Sequence, residues 1–181
     1  MVEQRIQQQF FEGADLKYQS AEPLSRAVAD ATQALLTSIT SGGKMLVAGS
    51  GFGVSLAPHL RSLMLGRFER ERPGLAAVVL GEDSAAELQA LAQPGDVFVA
   101  IDAGGPRAGL LAAADAAHGK EITMVVLADA AAEPWRDRLA ETDVLVAVPH
   151  ERRPRVMELH LLVLHCICDA LDLQLLGEQE T

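Results

Sequence analysis

Positive charge is scarce in this chain. Fifteen Lys and Arg stand against 25 Asp and Glu, a formal net charge of −10. That deficit argues against non-specific nucleic-acid binding, which draws on a basic surface, and leaves a basic protein partner open. Cysteine is scarcer still: Cys166 and Cys168 are the two thiols. Two apart in a predicted helix, they point to different faces and do not readily bridge. They are expected as buried, reduced thiols, which suits a cytoplasmic protein. No uninterrupted apolar run approaches the roughly 20 residues that span a bilayer, so no membrane role is expected. Met1-Val2-Glu3-Gln4-Arg5-Ile6-Gln7 lacks the apolar centre of a signal peptide. No Gly-Lys-Ser/Thr follows a glycine loop, which excludes a Walker loop.

What is present is ordinary globular composition, 49% hydrophobic and 22% charged over 181 residues. That length predicts one domain, 1–181, with a real core. Residues 2–18 read as a helix weakened by Gly13, and a second helix starts near Ser20 and ends at Ser41-Gly42-Gly43. In the second, Leu24, Val28, Ala31, Leu35 and Ile39 form a buried stripe. Strands are predicted at Met45–Ala48, Leu75–Leu80, Val97–Ile101, Ile122–Leu127 and Val144–Val148. Helices are predicted between them: one to Leu65, then Ser84–Leu91, Arg107–Ala117 and Trp135–Ala140, with a last one over Pro154–Leu173. The strands are short, valine-rich and continuously apolar, as burial on both faces demands. The expected class is α/β: a three-layer, doubly wound, five-stranded parallel sheet with two N-terminal helices.

Ligands in such sheets sit at the carboxyl ends of the strands. Two turns there stand out. Gly49-Ser50-Gly51-Phe52-Gly53 is not a dinucleotide fingerprint, because the third glycine would fall on Val54. It reads either as a tight turn or as a turn whose free N–H groups hold a ligand. Ile101-Asp102-Ala103-Gly104-Gly105-Pro106-Arg107 opens a helix where a phosphate is normally held. Asp102 places a negative charge there and Pro106 has no N–H to give. Ser50, Asp102, Gly104, Gly105 and Arg107, with Gly49, Gly51, Phe52 and Gly53, are the candidate ligand-binding residues, and Arg107 either pairs with phosphate or neutralises Asp102. His160 and His165, five apart on the last helix, fall on different faces. His118 and His150 read as loop histidines. The runs Arg67–Arg72 and Arg152–Arg155 read as charged surface, the second alternatively balancing Glu151 and Glu158 or meeting an anion.

Three segments together resemble a known family: the glycine loop followed by His59, the run Gly66-Arg67-Phe68-Glu69-Arg70-Glu71-Arg72-Pro73-Gly74, and Arg155-Val156-Met157-Glu158-Leu159-His160. They are similar to the sugar isomerase (SIS) domain family in its phosphoheptose isomerase branch, nearly end to end. The run His165–Asp172 resembles the non-catalytic, DnaA initiator-associating (DiaA-like) members in particular. The resemblance implies homotetramers assembled through N-terminal helices, here residues 1–41. It implies isomerisation of sedoheptulose 7-phosphate by a glutamate and a histidine, with zinc in many members. The histidines fall on His165 and His59, which are kept. The glutamate falls on Leu63, and the glutamine that helps hold metal or substrate falls on Met157. An aspartate falls on Pro154, and the phosphate-loop serines fall on Asp102, Gly104 and Arg107. The first loop's asparagine falls on Ser50 and its serine on Gly53. The enclosing segment around Gly81–Pro94 is also shorter.

These losses lead to the expectation of a degenerate, DiaA-like regulator. It would act through protein contacts in replication initiation, with DnaA as candidate partner through Leu175 and Leu176. No cofactor is expected in that role. The alternatives are a phosphoheptose isomerase, with His165 catalytic and zinc on His59 and His165, and a binding module for a carbohydrate derivative.

Overall fold

The computed structural model describes residues 1–105 and 107–178. Five parallel strands form one sheet in the order β2-β1-β3-β4-β5. They are β1 (Met45–Gly51), β2 (Ala77–Val79), β3 (Val97–Ala103), β4 (Thr123–Ala128) and β5 (Val144–Ala147). All seven residues of β3 are buried. Val97, Val99 and Ile101 pack on one side of the sheet with α1 (Val2–Thr40), α2 (Gly53–Leu65) and α6 (Arg153–Leu176). Phe98 and Ala100 pack on the other, with α3 (Ser84–Leu91), α4 (Ala108–Gly119) and Trp135 of the short α5 (Glu133–Arg136). Burial on both faces removes any reason to alternate, hence the continuous apolar runs. The predicted doubly wound class is the observed one. The chain moves outward to β2 and then returns past β1 to β3, so the switch point lies between β1 and β3.

The two expected N-terminal helices are one helix of 39 residues. Gly13 and Pro23 weaken local propensity but do not end it, because packing on α6 overrides propensity. Gly13 gives close room to α6: a Cβ there would stand 3.2 Å from Glu158 Oε2 and 3.3 Å from Arg155 Nη1. Arg155, read as solvated turn or as a partner of Glu158, is 6% exposed and takes the second role. Its Nη1 donates to Glu158 Oε2 at 2.7 Å and its Nη2 to the Gln9 carbonyl at 2.7 Å, which clamps α1 to the start of α6. β2 is three residues long, half the predicted span, as befits an edge strand paired only with β1. α5 is likewise a single turn.

The arginine-rich run after α2 is not plain surface. The Arg72 side chain is 1% exposed and lies between two helix ends. Nε donates to Asp172 Oδ1 at 2.5 Å, Nη1 to the Met64 carbonyl at 2.9 Å and Nη2 to the Leu63 carbonyl at 3.0 Å. It satisfies carbonyls that the end of α2 leaves unpaired. Arg70 Nη1 donates to the Gly177 carbonyl, 2.7 Å away, just past the end of α6. The run therefore fastens α2 to α6, the two helices that carry His59 and His165. Arg72→Ala strands the buried Asp172 carboxylate and is expected to cost about 3–5 kcal/mol in urea unfolding. The double replacement Arg72→Met, Asp172→Leu is expected to recover most of that loss.

Candidate functional site

At the switch point the β1–α2 and β3–α4 loops touch backbone to backbone. Gly51 has φ +57° and Gly104 φ +74°, left-handed values that favour glycine. A Cβ on Gly51 would collide with the Gly104 carbonyl, one on Gly53 with the Ile101 carbonyl, and one on Gly49 with Gly53. The spacing of the glycine loop is thus dictated by chain packing. The loops lead straight into α2 and α4, whose N-cap residues, Phe52 and Arg107, make no side-chain cap bond. Amides at both helix N-termini are left for solvent or a ligand.

Beside them opens a cleft of about 440 Å³. Ala48 to Gly51 from β1 line one wall with Val54, Ala57 and Pro58 of α2, Val79 to Glu82 line the second, and Ser84, Gly109 and Leu110 complete it. Glu82 is its one ionisable lining residue. Phe52 is 43% exposed at the loop tip.

Asp102 does not face this cleft as an open charge. It is fully buried. Ser50 Oγ donates to its Oδ1 at 3.0 Å, and Trp135 Nε1 donates to its Oδ2 at 2.9 Å. Arg107 Nε lies 2.5 Å from Oδ2, an ion pair not aligned as a hydrogen bond. Arg107 Nη2 also donates to both oxygens of Asp129, at 2.9 and 3.1 Å, and Nη1 to the Ala131 carbonyl at 3.2 Å. The expectation of a carboxylate standing in an anion's cradle is corrected: the carboxylate is sealed beneath the sheet edge, and Arg107 neutralises it. Sequence reading missed Trp135 and Asp129. The signal was the single tryptophan in a chain that is 4% aromatic, because a buried indole N–H requires an acceptor.

His160 lies under the same edge, fully buried, with Nε2 3.2 Å from the Ala128 carbonyl. Burial pushes its pKa down to about 4, against the opposing pull of that carbonyl, Asp102 and Asp129. His118 belongs to α4 rather than a loop, and its Nε2 sits 2.9 Å from Asp143 Oδ2.

On the other side of α2, His59 meets His165 of α6. Their Nε2 atoms are 3.1 Å apart, the rings are edge to face, and Phe68 packs against His165. Desolvation, then the neighbouring His59, lowers the His165 pKa. Two neutral rings at this distance form one N–H to N hydrogen bond, and adding a second proton is opposed. Leu63 lies one turn beyond His59 on the same face of α2. A resident zinc ion takes three or four protein ligands. The imidazoles supply two, and among the described residues no group of three His, Cys, Asp or Glu is placed to hold a metal. These residues do not make a complete zinc site. Leu175 is half-buried and Leu176 is 38% exposed in the last turn of α6. Cys168 is buried, its thiol pushed up to about 12 by burial first, whereas Cys166 is exposed, contrary to expectation.

A doubly wound parallel sheet with a cleft at its switch point and uncapped helix N-termini beside it is the arrangement in which such folds place their ligand sites. The pattern of the SIS domain matches residues 9–129, and the chain belongs to that family. It is 49% identical to a phosphoheptose isomerase from Methylibium petroleiphilum, over 99% of this chain and 98% of the relative. It is 36% identical to one from Thiobacillus denitrificans, over 97% and 98%. Among solved structures, a phosphoheptose isomerase from Francisella tularensis superposes with TM-score 0.88 at 28% identity, covering 95% of this chain and 98% of the other. That from Neisseria gonorrhoeae gives 0.87 at 28%, covering 95% and 99%. The expectation of a non-catalytic, DnaA-directed regulator is overturned by these full-length relatives, which carry the name of the enzyme.

His160 gives a pH test of the buried site. Its folded pKa of about 4 lies below the ordinary histidine value of 6.5, so between these pH values the unfolded chain binds more protons. Stability is therefore expected to fall as pH drops from 6.5 towards 4, by at most about 1.4 kcal/mol per pH unit from this group. Urea midpoints at both ends of that range measure the effect, and His160→Gln is expected to flatten it.

Proposed function

We propose that this protein is a sugar-phosphate isomerase of the phosphoheptose isomerase type. It takes a phosphorylated sugar at the carboxyl edge of the sheet, with His165, which stands across α2 from the cleft of the same chain and does not line it, as the acid-base residue. The observation that carries this reading is the His59–His165 pair, two half-buried imidazoles 106 residues apart in the chain and brought to 3.1 Å by α2 and α6. A neutral imidazole pair can accept a proton at one ring and release one from the other, which is what moving a proton between adjacent carbons requires. Leu63 cannot carry a proton, so the pair does this work without a carboxylate from α2. Gly49, Ser50 and Gly51 form the wall of the cleft, while Asp102 and Arg107 support the loop from below.

The test is turnover of sedoheptulose 7-phosphate. His165→Asn is expected to lower kcat by about 10²- to 10⁴-fold with the melting temperature unchanged. Because two imidazoles do not complete a zinc site, wild-type turnover is expected to withstand chelator. Absence of saturable wild-type turnover, with or without added zinc, would refute the reading.

A homo-oligomer fits the same picture. The N-terminal half of α1 exposes Ile6, Phe10, Phe11 and Tyr18, between 52% and 84% accessible. Apolar surface on that scale marks a contact face, and the tetramer implied by the resemblance would bury it. Replacing Ile6 and Phe10 with Glu is expected to reduce the mass seen by light scattering to that of a smaller species. A cytoplasmic setting suits the free thiols Cys166 and Cys168.

A further inference from the structure

We propose that Arg153 reads the phosphate of the ligand, an inference that rests on the sugar-phosphate reading above. The β3–α4 loop offers no hydroxyl: its side chains beyond Asp102 are Ala103, Gly104, Gly105, Pro106 and Arg107. A dianion held there must find its charge partner elsewhere. The β3–α4 loop and the start of α6 together carry four arginines, Arg107, Arg152, Arg153 and Arg155, and three of them are committed. Arg107 is taken by Asp102 and Asp129. Arg155 is taken by Glu158 and the Gln9 carbonyl. Arg152 reaches Glu12 and Gln9. Arg153, the first residue of α6, is exposed and makes no hydrogen bond or ion pair among the described residues.

Its placement is specific. The Arg153 side chain lies over Gly104: a Cβ added to that glycine would stand 2.9 Å from Arg153 Cγ and Nε. The Gly104 carbonyl in turn abuts Gly51, which lines the cleft. The absence of a side chain at position 104 is what lets the arginine lie down on the loop. Charge points the same way. Asp102 and Asp129 against Arg107 leave one negative charge in excess beneath the loop. Arg153 adds one positive charge above the loop without pairing to either carboxylate, and the N-termini of α2 and α4, each carrying roughly half a positive charge, add to it. A guanidinium also offers a planar fork that meets two phosphate oxygens together. Glu82, on the far wall, repels the phosphate and accepts from sugar hydroxyls, so the ligand has one favoured orientation.

The experiment is calorimetric titration of the full chain with sedoheptulose 7-phosphate and with inorganic phosphate as competitor. Arg153→Ala and Arg153→Gln are expected to raise Kd for the sugar phosphate about 10- to 100-fold and to abolish competition by phosphate. Arg153→Lys, which keeps the charge and loses the fork, is expected to recover part of the affinity. Unchanged Kd in Arg153→Ala overturns the proposal. So does wild-type affinity in Arg153→Gln, which would assign the side chain a packing role. Binding through Arg153 without turnover would sink the isomerase reading and leave this one standing. Turnover that survives Arg153→Ala with Kd unchanged would do the reverse. A wild-type protein that fails to bind the sugar phosphate sinks both.

Discussion

The backbone contact between Gly51 and Gly104 is the constraint on which the rest of the site depends. In a parallel sheet covered on both faces, the carboxyl edge is where the chain can be opened without exposing core. Here β1 and β3 pair through Gly51 and Ala103, their last residues. The two loops then meet without side chains between them, and α2 and α4 start immediately beyond. That contact brings two helix N-termini close together and turns their free amides toward one place. A side chain at Gly51 would push the loops apart, and one at Gly49 or Gly53 would collide with the first loop's own backbone or with β3. The cleft is a consequence of chain packing before it is a matter of ligand chemistry.

The charge beneath the loops follows from the same geometry. A carboxylate at the last turn of a buried strand cannot be left alone, since an unpaired buried charge costs far more than folding can spare. Asp102 is therefore surrounded by Ser50, Trp135 and Arg107. This network consumes the one hydroxyl and the one guanidinium that the loops themselves supply. On the proposal above, recognition of an anion passes to the first turn of α6, where Arg153 is exposed and makes no hydrogen bond or ion pair among the described residues. The same α6 carries His165 twelve residues, about 18 Å, further on, so the two side chains stand at separate places along one helix. Arg72 fixes that helix to α2 from its far end.

The fold was legible because valine-rich, non-alternating strands spaced by helical stretches admit few arrangements. The joining of the two N-terminal helices was not, because Gly13 and Pro23 are local breakers, and a distant contact with Arg155 and Glu158 decides their fate. The site was half legible. Gly49, Gly51, Asp102 and Arg107 were marked by their place after β1 and β3. What their side chains do was hidden, because the deciding partners, Trp135 and Asp129, follow a different strand. Reading Asp102 as repulsive to a phosphate treated a charge in sequence as a charge in space. His59 and His165 were each visible only by resemblance, since no spacing rule connects residues 106 apart.

Position by position, the chain has lost much of what the resemblance assigns to catalysis, yet its full-length relatives carry the enzyme's name. The two facts are compatible if the proton-transfer unit is the imidazole pair rather than a carboxylate and a histidine. A carboxylate beside His165 would stabilise the imidazolium and hold its proton. His59 does the opposite, since its positive form repels a second charge, and burial adds to the effect. A ring kept neutral is a ready acceptor near pH 7, whereas a ring paired with glutamate is a better donor. The replacement of glutamate by Leu63 therefore leaves a site suited to abstracting a proton. On the reading proposed above, the phosphate's charge is then met by Arg153 and the helix N-termini, which take no part in the proton's path.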